Sequence, residues 1–294
     1  MSRVPRPDFV EPQLPTLIDQ PPAGDGWIHE IKHDGYRTML VLDRGTVRAF
    51  TRNGHDWSDR YPGVVRAAAH LGCRSAILDG EIIVQDERGA SDFEGLQHAL
   101  RHRPHSLLFY AFDILHLDGN DLRALPLIER RAKLKKLLGE EGAGALQFSE
   151  EFIGDGAALL RACAKHQLEG IVSKLASSRY RSGRSRSWLK TKCFAESELT
   201  LIGIDRDRKT GATRALLAKG DRSKLVYAGA AFLALNVEAR KELKAKLVPL
   251  AQEHPAFPWL RNRKAHWVQP MLSMRVKHLA GARLLRHATV KAVC

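Results

Sequence analysis

The sequence predicts an α+β protein in two modules: antiparallel sheets flanked by helices over residues 1–194, then a small β-barrel over 195–294. Three observations predict it. Short β-type runs alternate with amphipathic helical stretches through the first two-thirds of the chain. Residues 177–192 then carry six basic residues and no acid, and the composition changes beyond them. Residues 195–294 hold 19 Lys/Arg against 8 Asp/Glu, whereas residues 1–194 hold 28 against 25. A nearly neutral part followed by a strongly basic one argues for two modules with different tasks.

Residues 1–25 are rich in proline and read as an extended lead-in. Trp27–Ile31 reads as a short strand, and Tyr36–Asp43 and Thr46–Thr51 as a hairpin closed by Asp43-Arg44-Gly45. Ser58 or Asp59 is placed to cap a helix reaching about Leu71. Residues 75–85 read as a strand ending before the Glu87-Arg88-Gly89 turn. Ser91 is the expected cap of a helix through about Arg101, and Leu107–Leu117 is strongly β. Pro126 opens a helix with Leu127, Ile128, Leu134 and Leu137 on one side. Leu146–Phe152 reads as a strand, 156–167 as a helix and Gly170–Lys174 as a strand. Beyond 194 the β runs 198–205, 213–219, 223–230, 266–269, 271–277 and 283–287 surround one helix, 236–247. Short strands with one helix in about 100 basic residues suit a barrel of the OB type.

Composition narrows the partners. The net charge of +14 points to a polyanion. No apolar run approaches the roughly 18 residues that span a bilayer, and the N-terminal residues lack a secretory stretch, so a cytoplasmic protein without membrane contact is expected. Cys73, Cys163, Cys193 and Cys294 are scattered, with no Cys-x-x-Cys pair, which argues against zinc or a disulfide framework.

Five clusters carry chemistry. In Lys32-His33-Asp34-Gly35-Tyr36-Arg37, a lysine follows a strand, with the Asp34 carboxylate two residues on and a glycine that permits close backbone approach. A lysine among other cations can lose its proton and act as a nucleophile. An ordinary hairpin loop has the same Asp-Gly pair. In Leu78-Asp79-Gly80-Glu81, alternation puts both acids on one strand face, where a divalent cation or a ligand hydroxyl is a natural partner. Phe109-Tyr110-Ala111-Phe112-Asp113 supplies aromatics for stacking or for a core. Glu169 and Lys174 bracket a short apolar strand opened by Gly170. In Trp188-Leu189-Lys190-Thr191-Lys192 the two lysines share a face, a way to aim two cations at a phosphate chain.

The order of these clusters resembles the covalent nucleotidyltransferase superfamily of ligases and capping enzymes. Lys32–Arg37, Thr51-Arg52-Asn53-Gly54, Asp79-Gly80-Glu81, Phe109–Asp113, Glu169–Lys174 and Trp188–Lys192 match its motifs I, Ia, III, IIIa, IV and V. Glu30–Arg37 and Leu285-Arg286-His287 look like the ligase module of bacterial ATP-dependent end-joining ligases.

The resemblance implies a nucleotidyltransferase (adenylation) domain over 1–194 and an OB-fold domain over 195–294. It also implies a monomeric ATP-dependent DNA ligase of DNA repair acting on nicked duplex DNA. Lys32 would attack the ATP α-phosphate and carry AMP covalently, AMP would pass to a DNA 5′-phosphate, and a 3′-hydroxyl would then expel it. Lys32, Asp34 and Lys190 would be catalytic. Glu30 would select adenine, Phe112 would stack on it, and Ile31 and Val172 would line the pocket. Arg37 and Arg52 would hold ribose or phosphates. Glu81 and Glu169 would hold ribose or Mg2+ (or Mn2+), and Lys190 and Lys192 would grip the α-phosphate. Such relatives continue past Leu285-Arg286-His287 into a basic motif VI; here Ala288–Cys294 follows, with Arg283, Arg286 or Lys291 as candidate substitutes in self-adenylation. With no helical clamp ahead of Lys32, DNA is expected to be held by the basic loop 179–186 and the basic module, making ligation steeply salt-dependent. An RNA ligase, a GTP-using capping enzyme, a non-catalytic nick-binding accessory and a plain OB-fold binder remain the alternatives.

Overall fold

A computed structural model describes residues 7–139, 142–220, 224–281 and 283–294. It divides into two compact units, Met1–Lys192 and Cys193–Cys294. The first six residues of the lead-in lie outside the described residues.

The first unit runs β1 (Gln13–Leu17), β2 (Trp27–Ile31), β3 (Tyr36–Asp43), β4 (Thr46–Thr51), α1 (Pro62–Ala69), β5 (Ser75–Ile83), α2 (Phe93–His102), β6 (Leu108–Leu117) and β7 (Asn120–Asp121). There follow α3 (Leu127–Leu138), β8 (Leu146–Phe148), β9 (Glu151–Phe152), α4 (Gly156–Lys165), β10 (Gly170–Leu175) and β11 (Gly183–Lys192). One sheet has the order β1-β11-β10-β2-β9, and the other β4-β3-β5-β6-β7 with β8 on β6. Between the two sheets lie Ile28, Met39, Val41, Phe112 and Trp188, whereas Leu40, Leu42 and Leu78 pack with Val64 of α1, Leu96 of α2 and Leu134 of α3 on the opposite side. Both faces of β3 are therefore buried, which is why its sequence alternates so poorly.

Several sequence expectations shift. The helix expected from Ser58 or Asp59 begins only at Pro62; Ser58–Arg60 form a separate single turn. Proline has no N–H to give and clashes with the preceding turn, so it starts a helix and does not sit inside one. The α2 cap is Asp92, whose carboxylate accepts from Gly95 N at 2.9 Å, rather than Ser91. Ser91 Oγ instead accepts from Asp34 N at 3.0 Å. The expected strand 146–152 splits into β8 and β9, which join different sheets. The sheets are mixed rather than antiparallel: β1 pairs parallel with β11, and β8 with β6. Parallel partners come from distant chain segments, and local alternation carries no record of them.

The second unit runs β12 (Phe194–Arg206), β13 (Thr213–Lys219), β14 (Val226–Leu233), α5 (Val237–Leu247), β15 (Ala251–Gln252), β16 (Ala265–Val268), β17 (Ser273–Leu279) and β18 (Thr289–Val293). Pairing runs β12-β13-β14-β18-β17 and back to β12, a closed ring, with β16 added along β12. Leu199, Leu201, Leu217, Val276 and Val290 fill its core. The expected strand at 283–287 is not one: Leu285 N donates to Ala228 O at 2.7 Å and His287 turns the chain at φ 49°. The strand that closes the ring is β18, which the sequence reading missed. Ser223, in the expected run 223–230, lies outside the described residues. The four cysteines are free thiols, and among the described residues no helix is long and apolar enough to cross a membrane.

Candidate active site

Strand register assembles one face of the site. Glu30 of β2 lies opposite Val172 of β10, and Val172 opposite Lys190 of β11. Two residues along, Ile28, Lys174 and Trp188 form the next row. Because alternate residues share a face, Glu30, Val172, Lys174, Trp188 and Lys190 point the same way. In the facing sheet Arg37 lies opposite Glu81, with Asp79 on the same face of β5. Between the sheets is a cavity of 180 Å³ lined by Leu14, Pro15, Glu30, Ile31, Lys32, His33, Arg37, Arg52, Glu81, Phe112, Val172, Lys174, Trp188 and Lys190.

Two glycines make the assembly possible. A Cβ on Gly35 would meet Ile82 O at 2.0 Å, so the loop after Lys32 docks on β5 only without a side chain. Gly170 has φ +145°, and a Cβ there would meet Thr191 O at 2.1 Å. The Gly170 carbonyl accepts from Lys32 N at 2.9 Å, fixing the lysine's backbone.

Lys32 is one-fifth exposed and its Nζ donates to Glu169 Oε2 at 2.5 Å. Glu169 Oε1 takes Lys192 Nζ at 2.9 Å. Burial raises the Glu169 carboxyl, but the charges of Lys32 and Lys192 outweigh it and hold the group below the usual range. Glu81 has the opposite balance. Burial raises it to about 7, against the pull of Lys32 and Arg37. No hydrogen bond to the Glu81 carboxylate occurs among the described residues. Lys190 has no ion pair among them either; burial and the charges of Lys32 and Lys192 push its amine down.

Glu30 is 2 % exposed and heavily engaged. Its Oε1 accepts from Arg131 Nη1 at 3.0 Å and forms an ion pair with Lys174 Nζ at 2.5 Å, and its Oε2 accepts from Ser149 Oγ at 2.9 Å. Arg131 also bonds Glu151 and the Ser149 carbonyl. Burial lowers Lys174 to about 8 even beside Glu30. Arg37 is held by both oxygens of Asp79, at 2.6 and 2.7 Å, and Tyr180 OH donates to Asp79 Oδ2 at 2.7 Å. Phe112 carries Arg37 Cζ at 4.3 Å and Lys174 Nζ at 4.1 Å from its ring centre.

Of the residues singled out in the sequence, Glu30, Ile31, Lys32, Arg37, Arg52, Glu81, Phe112, Val172 and Lys190 line this one cavity. Glu169 and Lys192 are joined to it through Lys32. Asp34 is not among the lining residues; its charge acts on Glu81. The lining also includes Leu14, Pro15, His33, Lys174 and Trp188, which the sequence reading gave no site role. Lys174 and Trp188 stand two positions from Val172 and Lys190, so the two-residue strand period would have found them. Burial pushes His33 down to about 4, so it stays neutral where it stacks on Tyr110 with ring centres 4.3 Å apart.

The cavity thus brings a lysine loop, two carboxylates and further lysines together, within the segment that a family comparison matches. The sequence family "ATP dependent DNA ligase domain" matches residues 17–192. The chain belongs to the ATP-dependent DNA ligase family. Among its relatives, the multifunctional non-homologous end joining protein LigD of Pseudomonas aeruginosa is 36% identical over 287 residues, covering 94% of this chain and 34% of that protein. The SPbeta prophage-derived DNA ligase-like protein LigB of Bacillus subtilis is 30% identical over 202 residues, covering 67% of the chain and 73% of LigB. The crystal structure of the ligase domain of M. tuberculosis LigD superposes with TM-score 0.59 at 29% identity, covering 96% of this chain and 94% of that one. A mycobacterial DNA ligase D complexed with ATP and MES matches equally, with TM-score 0.59. The chain spans about a third of the length of the LigD relatives.

Proposed function

We propose that this ligase joins a 3′-hydroxyl to a 5′-phosphate at nicks in duplex DNA, using ATP and passing AMP first to Lys32 and then to the DNA 5′-phosphate. The observation that carries the proposal is the position of Lys32 Nζ: 2.5 Å from Glu169, in one cavity with Lys190, Glu81 and Glu30. The amine attacks the α-phosphorus as the bond to pyrophosphate breaks. Its proton has an acceptor in place in Glu169. Lys190, without an ion pair among the described residues, faces the charge that grows on the phosphoryl oxygens.

Glu30 gives base choice a physical basis. An ionised carboxylate offers about four acceptor sites; on Oε2 one is taken by Ser149 and one is left, while Oε1 is covered by Arg131 and the Lys174 ammonium. A carboxylate only accepts, so it favours the amino group of adenine over the carbonyl of guanine. Val172 and Phe112 would flank the base, Lys192 would assist Lys190 and Arg52 would meet ribose or phosphates. Arg37, already clamped by Asp79, would act chiefly by shaping the Phe112 side of the cavity.

Mg2+ fits Glu81, a carboxylate without a hydrogen-bond partner among the described residues that faces the same space as the cations. Magnesium favours one or two carboxylates completed by water and phosphates. Bound there, beside Glu169, it would neutralise phosphate charge. The second unit reads as an OB-fold: a closed five-strand ring with one helix before the fourth strand supports it. Residues 1–194 would then be the adenylation domain. The relatives' names include end joining, and the part proposed for this chain is the ligation step, on nicked duplex DNA, as a monomer.

Incubation with ATP labelled at the α-phosphate should label the chain, GTP should do so poorly, and Lys32→Ala should abolish the label. Retained label in Lys32→Ala refutes the nucleophile. Sealing of nicked RNA as readily as nicked DNA would favour the RNA-ligase alternative.

A further inference from the structure

Away from the adenylation cavity, the second unit has a larger one of 1210 Å³, bordered by the β12–β13 turn and by residues 262–266. Its lining is cationic, but the cations are of two kinds. Arg214 and Arg263 are neutralised: Asp205 takes both, at 2.9 and 2.7 Å, and Asp207 takes Arg214 at 2.8 Å. Arg206, Arg208, Lys209 and Lys264 are exposed and have no ion pair among the described residues. They are free to meet phosphates.

The same wall is continuous with an aromatic cluster in which Tyr227 and Phe257 are half-buried and Trp259 is exposed. Arg263 Nη1, inside the lining, donates to Tyr227 OH at 3.0 Å. The Tyr227 ring meets Trp259 at 5.2 Å and Phe257 at 6.2 Å between centres. Trp259 is 63% exposed, although the next residue, Leu260, is buried against Ile202, Leu216 and Trp267. The buried leucine, the edge contact with Tyr227 and a tilted contact with Phe257 at 6.0 Å hold the indole in place while it stands open to solvent.

Exposed cations beside a held, open aromatic are the two components of single-strand recognition: the cations track the backbone and the ring accepts an unstacked base. A duplex offers phosphates but keeps its bases stacked inside, so a duplex-only surface has no use for the indole. We propose that this face of the second unit binds single-stranded DNA, with Trp259 stacking on a base and Arg206, Arg208, Lys209 and Lys264 on the phosphates. An unpaired segment beside a break would be held there. This goes beyond nick sealing and does not depend on the chemistry at Lys32.

The test is the binding of a labelled oligo(dT) to the full chain, followed by fluorescence anisotropy. Trp259→Ala should weaken binding roughly 5- to 150-fold, the range for losing one stacked base, and Trp259→Phe should restore most of it. Lys264→Ala, at an exposed position, should lower the salt slope by about 0.7. It keeps the test open if the tryptophan truncation disturbs folding. Absence of oligo(dT) binding, or affinity and slope unchanged in Trp259→Ala and Lys264→Ala, overturns the proposal. So does a blunt duplex that competes as well as oligo(dT) itself, since contacts to the backbone alone would then suffice. AMP labelling of Lys32 in the same preparation reports separately on the ligase reading.

Discussion

Glu81 is the carboxyl most displaced toward neutrality in the cavity, and replacing it by glutamine should change how stability depends on pH. Burial raises it from an ordinary 4.5 to about 7. Between those values the folded chain binds a proton that the unfolded chain has released. The parent therefore loses stability as pH rises through this window, and the loss is complete above 7. A shift of that size corresponds to about 3.4 kcal/mol at 1.36 kcal/mol per pH unit. Partial exposure screens it, so ~1–2 kcal/mol is expected. His33 works against it: its fall to about 4 adds stability as pH rises toward 6.5. The informative quantity is therefore the difference in unfolding free energy between the parent and Glu81→Gln, measured in urea from pH 4.5 to 8. The variant should gain on the parent as pH rises. Millimolar Mg2+ should stabilise the parent above pH 7 and leave the variant unchanged. A difference that is flat across the window would mean that Glu81 is ionised throughout and satisfied by fixed cations, and the metal assignment would lose its physical basis.

Other perturbations probe the remaining parts. Glu30→Gln should cost about 3–5 kcal/mol, because Arg131 and Lys174 are left charged and buried; chemical unfolding measures it, and any folded enzyme should discriminate less between ATP and GTP in AMP labelling. Lys190→Ala should slow labelling by roughly 10²–10³-fold with little change in stability, the scale for removing one donor to a developing oxyanion. Gly35→Ala should abolish labelling even with Lys32 intact, since the added carbon would meet the Ile82 carbonyl at 2.0 Å and lift the loop off β5; normal labelling would show that the loop can move without harm.

Much of the candidate site's make-up is legible in the sequence because it depends on short-range order. The Lys32–Arg37 loop, the Asp79/Glu81 pair and the Lys190/Lys192 pair are each set by residues within six positions, and strand alternation aims them. What escaped depends on pairing at a distance. Leu14 and Pro15 reach the cavity through β1, which pairs parallel with β11 some 170 positions on. Arg131 looked like one more base on an amphipathic helix, yet it is 1% exposed because Glu30, 101 positions away, is its partner. β18 was missed because its alternation spans only five residues after a turn set by His287 at positive φ.

The buried charges explain why so small a cavity can be so polar. Arg130–Asp113, Arg37–Asp79 and Arg131–Glu30 are fastened with hydrogen bonds, and Lys174 is held against Glu30 as an ion pair, because an ion removed from water is tolerable only when its partners replace the solvent. Groups satisfied in this way are expensive to rotate, so they serve as walls. Lys32, Lys190 and Glu81 differ: the first is bonded to a carboxylate that can take its proton, and the other two have no hydrogen-bonded partner among the described residues. Free partners are a cost to the fold and an opening for a ligand. A triphosphate and a divalent cation supply the missing charges of both signs. On this reasoning the cavity is least stable when empty, and ATP with Mg2+ should stabilise the parent more than it stabilises Lys190→Ala or Glu81→Gln.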